Sequence, residues 1–261
     1  NTSDPRKTMY FPKFDWPRLN NPKLSFPITK EVLDRVAKEE IQVVNHIKSI
    51  INKNPSSIAA IIIEPIQGEG GDNHFRDEFM ILLREICDEN EIMLIMDEVQ
   101  TGVGVTGKWW AHEHFSIKPD IISFGKKTQV CGLFASDRVD EVDKNVFSES
   151  SRINSTFGGN LTDMIRFQLI LEIIDKENLL NNVSEMGSVL MSGLDNLADE
   201  FPAFITNVRG LGLFCAFDLP SGTERDSLIN KLLENKLMML PSGDQSIRFR
   251  PHLNVTKDDI N

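Results

Sequence analysis

Two uninterrupted apolar runs in this chain each end abruptly in a charged side chain. Ile92-Met93-Leu94-Ile95-Met96 delivers Asp97, and Ile121-Ile122-Ser123-Phe124 delivers Gly125, Lys126 and Lys127. Short apolar runs without polar alternation read as buried strands. A third, isoleucine-rich run from Ile58 to Ile63 closes at Glu64-Pro65. Between these runs the period changes. Val32, Leu33, Val36, Val43, Ile47, Ile50 and Ile51 recur at helical spacing from Lys30 to Asn54, and Phe79 to Cys87 forms a second amphipathic stretch. The alternation of helix, strand, helix, strand, loop and strand predicts an α/β unit with a mainly parallel sheet.

The flanks have another character. Residues 1–30 carry Pro5, Pro12, Pro17, Pro22 and Pro27 without any period, which predicts a loop laid over a surface. Beyond the sheet, Leu161 to Asp175 and Leu179 to Phe201 are long helical patterns. Strands are expected around 205–208, 211–217 and near Leu237 and Ile247, with a helix around 224–235. We expect a large domain over 1–176 and a smaller α+β domain over 177–261. Thr256 with the acidic residues after it reads as a helix start that Asn261 interrupts, and Asn1 is no initiator methionine. Both ends are expected to be cuts through a longer protein, and the piece alone is expected to be inactive.

Composition narrows the function classes. A formal net charge of −11 over 261 residues, with no basic stripe, argues against a nucleic-acid surface. No apolar run approaches the roughly 20 residues that span a bilayer. Cys87, Cys131 and Cys215 each sit beside an apolar neighbour and read as buried free thiols. No disulfide framework is implied, so a reducing, cytoplasmic setting is expected.

In an open α/β sheet, ligands gather at the carboxyl ends of the strands. Asp97 and Lys126 arrive there together, a combination that suits pyridoxal 5′-phosphate. The lysine bonds the aldehyde, and the carboxylate keeps the ring nitrogen protonated. A lysine just after a buried strand can lose solvation and become a better nucleophile, although a pair such as Lys126-Lys127 can also be a solvated surface feature. A phosphate-loop motif is excluded, because Asp120 stands where it needs glycine and Lys127 where it needs Ser or Thr.

Glu64-Pro65-Ile66-Gln67-Gly68-Glu69-Gly70-Gly71 is either a plain turn or a site with two carboxylates. Ser155-Thr156-Phe157-Gly158-Gly159-Asn160 is either a helix cap or a phosphate seat. Arg248 and Arg250 alternate with Ile247 and Phe249, so both should leave one face of a strand, either to bind a carboxylate or to meet solvent. His112 and His114 lack a ligand cluster and read as surface residues rather than a metal pair.

Taken in order, these motifs resemble the class III pyridoxal-phosphate aminotransferases, a fold-type I family. Four stretches, 11–17, 124–132, 155–160 and 247–251, are most similar to the branch that transaminates the ε-amino group of L-lysine, the lysine 6-transaminases. The resemblance implies that Lys126 is the Schiff-base lysine and Lys127 a neighbour, and that Asp97 pairs with the ring nitrogen. It implies that Val99 packs on the ring and that Gln100 bonds the phenolic oxygen. Thr156 would reach the cofactor phosphate of the other subunit of a homodimer. Arg248 would hold a substrate carboxylate, Glu69 would gate it, and Glu64 would be a pocket carboxylate near Gln100. The implied reaction passes the ε-amino group of L-lysine to 2-oxoglutarate, giving glutamate and the 6-semialdehyde. Other ω-aminotransferases, acting on 4-aminobutyrate or ornithine, and a non-catalytic truncated relative are the alternatives. His252 replaces the family's usual second proline, and the family's phosphate cup, ring-stacking aromatic and second substrate arginine would fall upstream of Asn1.

Overall fold

The computed structural model describes residues 5–261. After a helical turn at Pro5–Thr8, inside the stretch expected to be loop, the chain runs extended to α1, Lys30–Lys53. Thr29 caps that helix by accepting the amide of Val32, and Glu31 and Lys53 complement its dipole at the two ends. β1 (Ala60–Ile63), α2 (Asp77–Glu89), β2 (Met93–Asp97), β3 (Ile121–Phe124) and β4 (Gly132–Ala135) follow. The strands form one sheet in the order β1-β2-β3-β4, with the first three parallel and β4 antiparallel to β3. β4 carries no periodic signal in the sequence. It is held by ring contacts, Phe134 stacking on Phe124 with centroids 4.8 Å apart.

Phe79, Met80, Leu83 and Ile86 of α2 pack with Val43 and Ile47 of α1 onto Leu94 and Met96 of β2. The continuous apolar runs predict strands buried on both faces. Here only one face is fully covered: Met93 and Ile95 are half-buried and Ile62 is 42% exposed.

α3 (Leu161–Lys176) and α4 (Leu179–Glu200) lead to the second sheet, formed by β5 (Thr206–Leu211), β6 (Phe214–Asp218), β7 (Leu240–Ser242) and β8 (Ser246–Phe249), with α5 (Gly222–Glu234) between β6 and β7. Its order is β5-β6-β8-β7, antiparallel throughout. Its core contains Val183, Leu190, Leu194, Phe214, Phe217 and Ile247. The residues after Thr256 do form a helical turn, Lys257–Ile260, closed by a reciprocal cap between Thr256 and Asp259.

The two sheets meet backbone to backbone. Gly212, at φ +57° in the β5–β6 turn, has no room for a side chain, since a Cβ there would lie 2.7 Å from the Val105 carbonyl. The amide of Leu213 donates to that carbonyl at 2.9 Å. Val105 and Ile66, from the segments that follow β2 and β1, are thereby drawn into the core of the second sheet.

Asp120 pins the start of β3. It is buried, accepts the amide of Leu94 at 2.7 Å, and pairs with Arg84 at 2.9 Å and Arg138 at 3.3 Å. Asp120→Ala strands two cations and a buried amide, so we expect a loss of about 3 kcal/mol, read as a lower urea midpoint at unchanged slope. A loss below about 1 kcal/mol, the range of exposed pairs, would contradict this.

Candidate functional site

β1, β2 and β3 are parallel, so their carboxyl ends open onto one edge, with Asp97 in register with Ser123. Asp97 Oδ1 accepts from the Val99 amide at 3.2 Å and from Ser123 Oγ at 3.3 Å, while Oδ2 takes no hydrogen bond among the described residues. The next residue is also a carboxylate but is fully committed. Glu98, 1% exposed, accepts from Thr101 Oγ1 at 2.6 Å, from the amides of Ala111 and His112 at 3.0 and 2.8 Å, and faces His112 Nδ1 at 3.0 Å. Glu98 builds the turn, and Asp97 keeps one oxygen unbonded among the described residues.

His112 and His114 are therefore half-buried members of this turn rather than surface residues. His114 Nε2 lies 3.2 Å from the Thr106 carbonyl, and burial lowers its pKa. No local pattern signals that Glu98 reaches forward to position 112. Among the described residues no cluster of His, Cys, Asp and Glu could hold a metal ion.

The lysine pair divides in the same way. Lys126 follows Gly125, adopts φ +54°, and starts a short 3₁₀ turn, Lys126–Thr128. A left-handed lysine is a mild strain of the kind that collects at functional sites. Its side chain is exposed, and its amine has no partner among the described residues. The desolvation expected of a lysine here falls instead on Lys127. Its Nζ donates to the Gln100 carbonyl at 2.6 Å, and burial, helped by the charges of Arg250 and Lys126, lowers its pKa to about 8. Both lysines line a cavity of about 510 Å³, together with Gln100, Arg248, Arg250 and Leu253.

The glycine-rich turn after β1 brings the carboxylates. Glu64 is half-buried, and its Oε2 accepts the Gly68 amide at 3.0 Å. Burial raises its carboxyl above 4.5 against that hydrogen bond, and the Asp97 charge adds to the rise. Gly68 has no side chain to spare, since a Cβ would sit 2.5 Å from Gln100 Oε1. Glu64 thus approaches Gln100 through Gly68. Glu69 Oε2 lies 3.3 Å from Arg248 Nη1, and Glu69 Oε1 lies 2.5 Å from Lys7 Nζ. The hydrogen bond from Lys7, then Arg248, lowers the Glu69 pKa against partial burial. Arg248 Nη1 also reaches Gln100 Oε1 at 3.5 Å.

Arg248 and Arg250 both line the cavity, as strand alternation predicts, but only Arg248 is available. Arg250 binds Asp72 Oδ1 at 2.5 Å and the Cys215 carbonyl at 3.2 Å, and lies 3.2 Å above the Phe214 ring. Val99 is half-buried on the turn between Asp97 and Gln100. Thr156 lies outside the cavity on an exposed turn, and the cap of α3 is Asn160, which accepts the amides of Thr162 and Asp163. Cys87 and Cys215 are buried, but Cys131 is exposed, a correction to the expectation of three buried thiols. Cys131 stands just before the edge strand β4, in the segment that joins it to β3.

Arg209 and Asp72 carry no motif and were not anticipated. Arg209, 3% exposed, donates to the Gly71 carbonyl at 2.5 Å and the Asp72 carbonyl at 3.0 Å, and pairs with Asp218 at 2.8 Å. The only sequence signal is a lone arginine inside an apolar strand.

A family model for class-III aminotransferases matches residues 4–261. The chain is 47% identical over 256 residues to the L-lysine-epsilon aminotransferase of Mycobacterium tuberculosis, covering 98% of this chain and 56% of that protein. It is 40% identical over 250 residues to the mitochondrial 4-aminobutyrate aminotransferase of Rattus norvegicus, covering 93% of this chain and 48% of that protein. The solved structure of lysine aminotransferase from M. tuberculosis in the internal aldimine form superposes with a TM-score of 0.95 at 47% identity, covering 99% of this chain and 59% of that one. The chain thus spans about half the length of the curated relatives it matches.

The raised Glu64 carboxyl carries a pH signature. Its folded pKa exceeds 4.5, so the folded state holds the proton more tightly, and ionised Glu64 destabilises the fold increasingly as pH rises through the folded value. Glu64→Gln should raise the melting temperature at pH 7, and the gain should vanish below 4.5, the ordinary value of a glutamate. A melting temperature lowered at pH 7 and unchanged at low pH would show instead that the carboxylate is needed in its charged form.

Proposed function

Because this chain belongs to the class-III aminotransferases, we propose that it carries the reacting half of a pyridoxal 5′-phosphate enzyme. That enzyme moves the ε-amino group of L-lysine to 2-oxoglutarate, giving glutamate and the 6-semialdehyde. The observation that carries this reading is Asp97 and Lys126 at the ends of adjacent parallel strands, with Lys126 lining a cavity together with Arg248, the partner of Glu69. The higher identity to lysine-epsilon aminotransferase than to 4-aminobutyrate aminotransferase favours lysine as donor. Retention of both Asp97 and Lys126 speaks against a non-catalytic relative.

The residues present fit the cofactor. Asp97 offers an unbonded Oδ2 to the ring nitrogen, Val99 an apolar side chain to the ring, and Gln100 an amide to the phenolic oxygen. Lys126 offers an amine without a competing partner among the described residues, whereas the Lys127 amine is committed to a carbonyl. Bound there, the cofactor supplies an electron sink for the pair left on the substrate carbon. With the cofactor bound, the Lys126 amine would be the group placed to take a proton from the substrate's ε-carbon as general base.

Thr156 suits the cofactor phosphate of a second subunit, because it sits on an exposed turn away from its own cavity. Phe157 and Leu161 beside it are both 78% exposed, an apolar flank that a homodimer would cover. We place the cofactor-binding domain at 1–176 and the small domain at 177–261, the break falling at Glu177-Asn178 between α3 and α4. No helix among the described residues is long and apolar enough to cross a membrane. The free thiols favour a cytoplasmic setting.

Arg248 explains how one pocket takes two unlike substrates. 2-Oxoglutarate and glutamate bring it a carboxylate; lysine entering by its ε-end does not, and a partly desolvated cation left without a partner is destabilising. Glu69, on a glycine-flanked turn, is the partner that fills the gap. Glu69→Ala in the complete protein should slow the lysine half-reaction more than the glutamate half-reaction in single-turnover measurements. Equal losses in both would make Glu69 structural, and absence of lysine-dependent turnover in the unaltered protein would remove the reading itself.

A further inference from the structure

Lys127 has no part in the reading above, yet its surroundings are costly for a lysine. Lysine normally extends its amine to water, as Lys126 beside it does. The Lys127 amine instead turns inward and donates to the Gln100 carbonyl at 2.6 Å. The charged groups that face it are Glu98, which favours its ammonium form, and Arg250 and Lys126, which oppose it. Arg248 and His252 line the same cavity. A buried ammonium persists only where its hydrogen bond and its counter-charge outweigh lost hydration. Here that bond joins the turn after β3 to the turn after β2. The far side of Gln100 is fixed too, its side chain lying against Gly68 and within 3.5 Å of Arg248.

We infer that Lys127 is a positioning residue: its ammonium holds the Gln100 peptide, keeping the turn of Val99 and Gln100 aligned with the turn of Lys126, and sets a positive charge beside the Lys126 nitrogen. The inference rests on the reading in which Lys126 bonds the cofactor. Two consequences follow from one bond. Loss of the hydrogen bond loosens the turn that meets the ring, and loss of the charge raises the pH at which the neighbouring nitrogen gives up its proton, since a nearby cation favours the unprotonated form.

The test uses the complete protein as wild type, Lys127→Met, Lys127→Arg and Lys126→Ala, with pyridoxal 5′-phosphate as the probe. Cofactor affinity and the pH dependence of the bound cofactor's visible absorbance are measured. Lys127→Met should still bond the cofactor through lysine, bind it roughly tenfold more weakly, and shift the absorbance titration to higher pH. Lys127→Arg, which keeps donor and charge, should restore the titration towards wild type. If Lys127→Met does not fold, Lys127→Gln against Lys127→Arg carries the same comparison, the neutral variant shifting and the charged one not. Wild-type affinity and titration in the neutral variant, or the same behaviour in the neutral and charged variants, would overturn the inference and leave the proposed function standing. Loss of the lysine-bonded spectrum in Lys127→Met with its retention in Lys126→Ala would instead overturn the assignment of Lys126.

Discussion

The site depends on a buried arginine that never touches it. Arg209 reaches from β5 across to the carbonyls of Gly71 and Asp72 while pairing with Asp218 of β6. Arg250 binds the Asp72 carboxylate from the same side. Ser242 donates to the Gly68 carbonyl at 2.7 Å, and the Gly243 amide donates to that of Glu69 at 3.0 Å. These bonds fasten the turn after β1, which belongs to the first sheet, onto the second. Glu64 and Glu69 ride on that turn, and Arg248 projects from β8 to meet them. Together with the backbone contact of Leu213 with Val105, the clamp gives the two walls a common frame and brings Glu69 to 3.3 Å from Arg248. Charges so deeply buried hold only as a complete set, since removing one partner strands the others at a cost of several kcal/mol.

A second regularity runs through the site. Three times, two charged residues stand side by side or one apart, and each time one is consumed by structure while the other is a residue of the proposed site. Glu98 builds its turn and Asp97 stays open. Lys127 is tied to a carbonyl, and the Lys126 amine has no partner among the described residues. Arg250 is locked to Asp72 and the Phe214 ring, and Arg248 faces the cavity. The structural member supplies rigidity close to the functional one, which keeps a small set of side chains preorganised without using the atoms that must react.

Much of this was legible in residue order. The apolar runs ending at Asp97 and Lys126 announced the parallel strands and the edge where ligands gather, and the helical periods of α1, α2, α3 and α4 were plain. What escaped has a common physical origin. β4 is short, lies at the sheet edge and is held by ring contacts, so it has no period to read. Arg209 and Asp72 act across 137 residues of chain, and Glu98 across 14, distances over which no local pattern exists. The desolvated lysine turned out to be Lys127 because solvation depends on which way the turn after Gly125 points, a matter of φ +54° at Lys126 rather than of sequence neighbours. Cys131 reads as a core thiol by its neighbours, but its hairpin leaves it exposed.

The central claim is that Lys126, and not its buried neighbour, is the amine that bonds the cofactor. Borohydride reduction of the complete protein loaded with pyridoxal 5′-phosphate, followed by peptide mass mapping of the segment from Phe124 to Cys131, tests it directly. The account predicts a stable cofactor adduct on Lys126 with Lys127 unmodified; an adduct on Lys127, or none on either lysine, would contradict it.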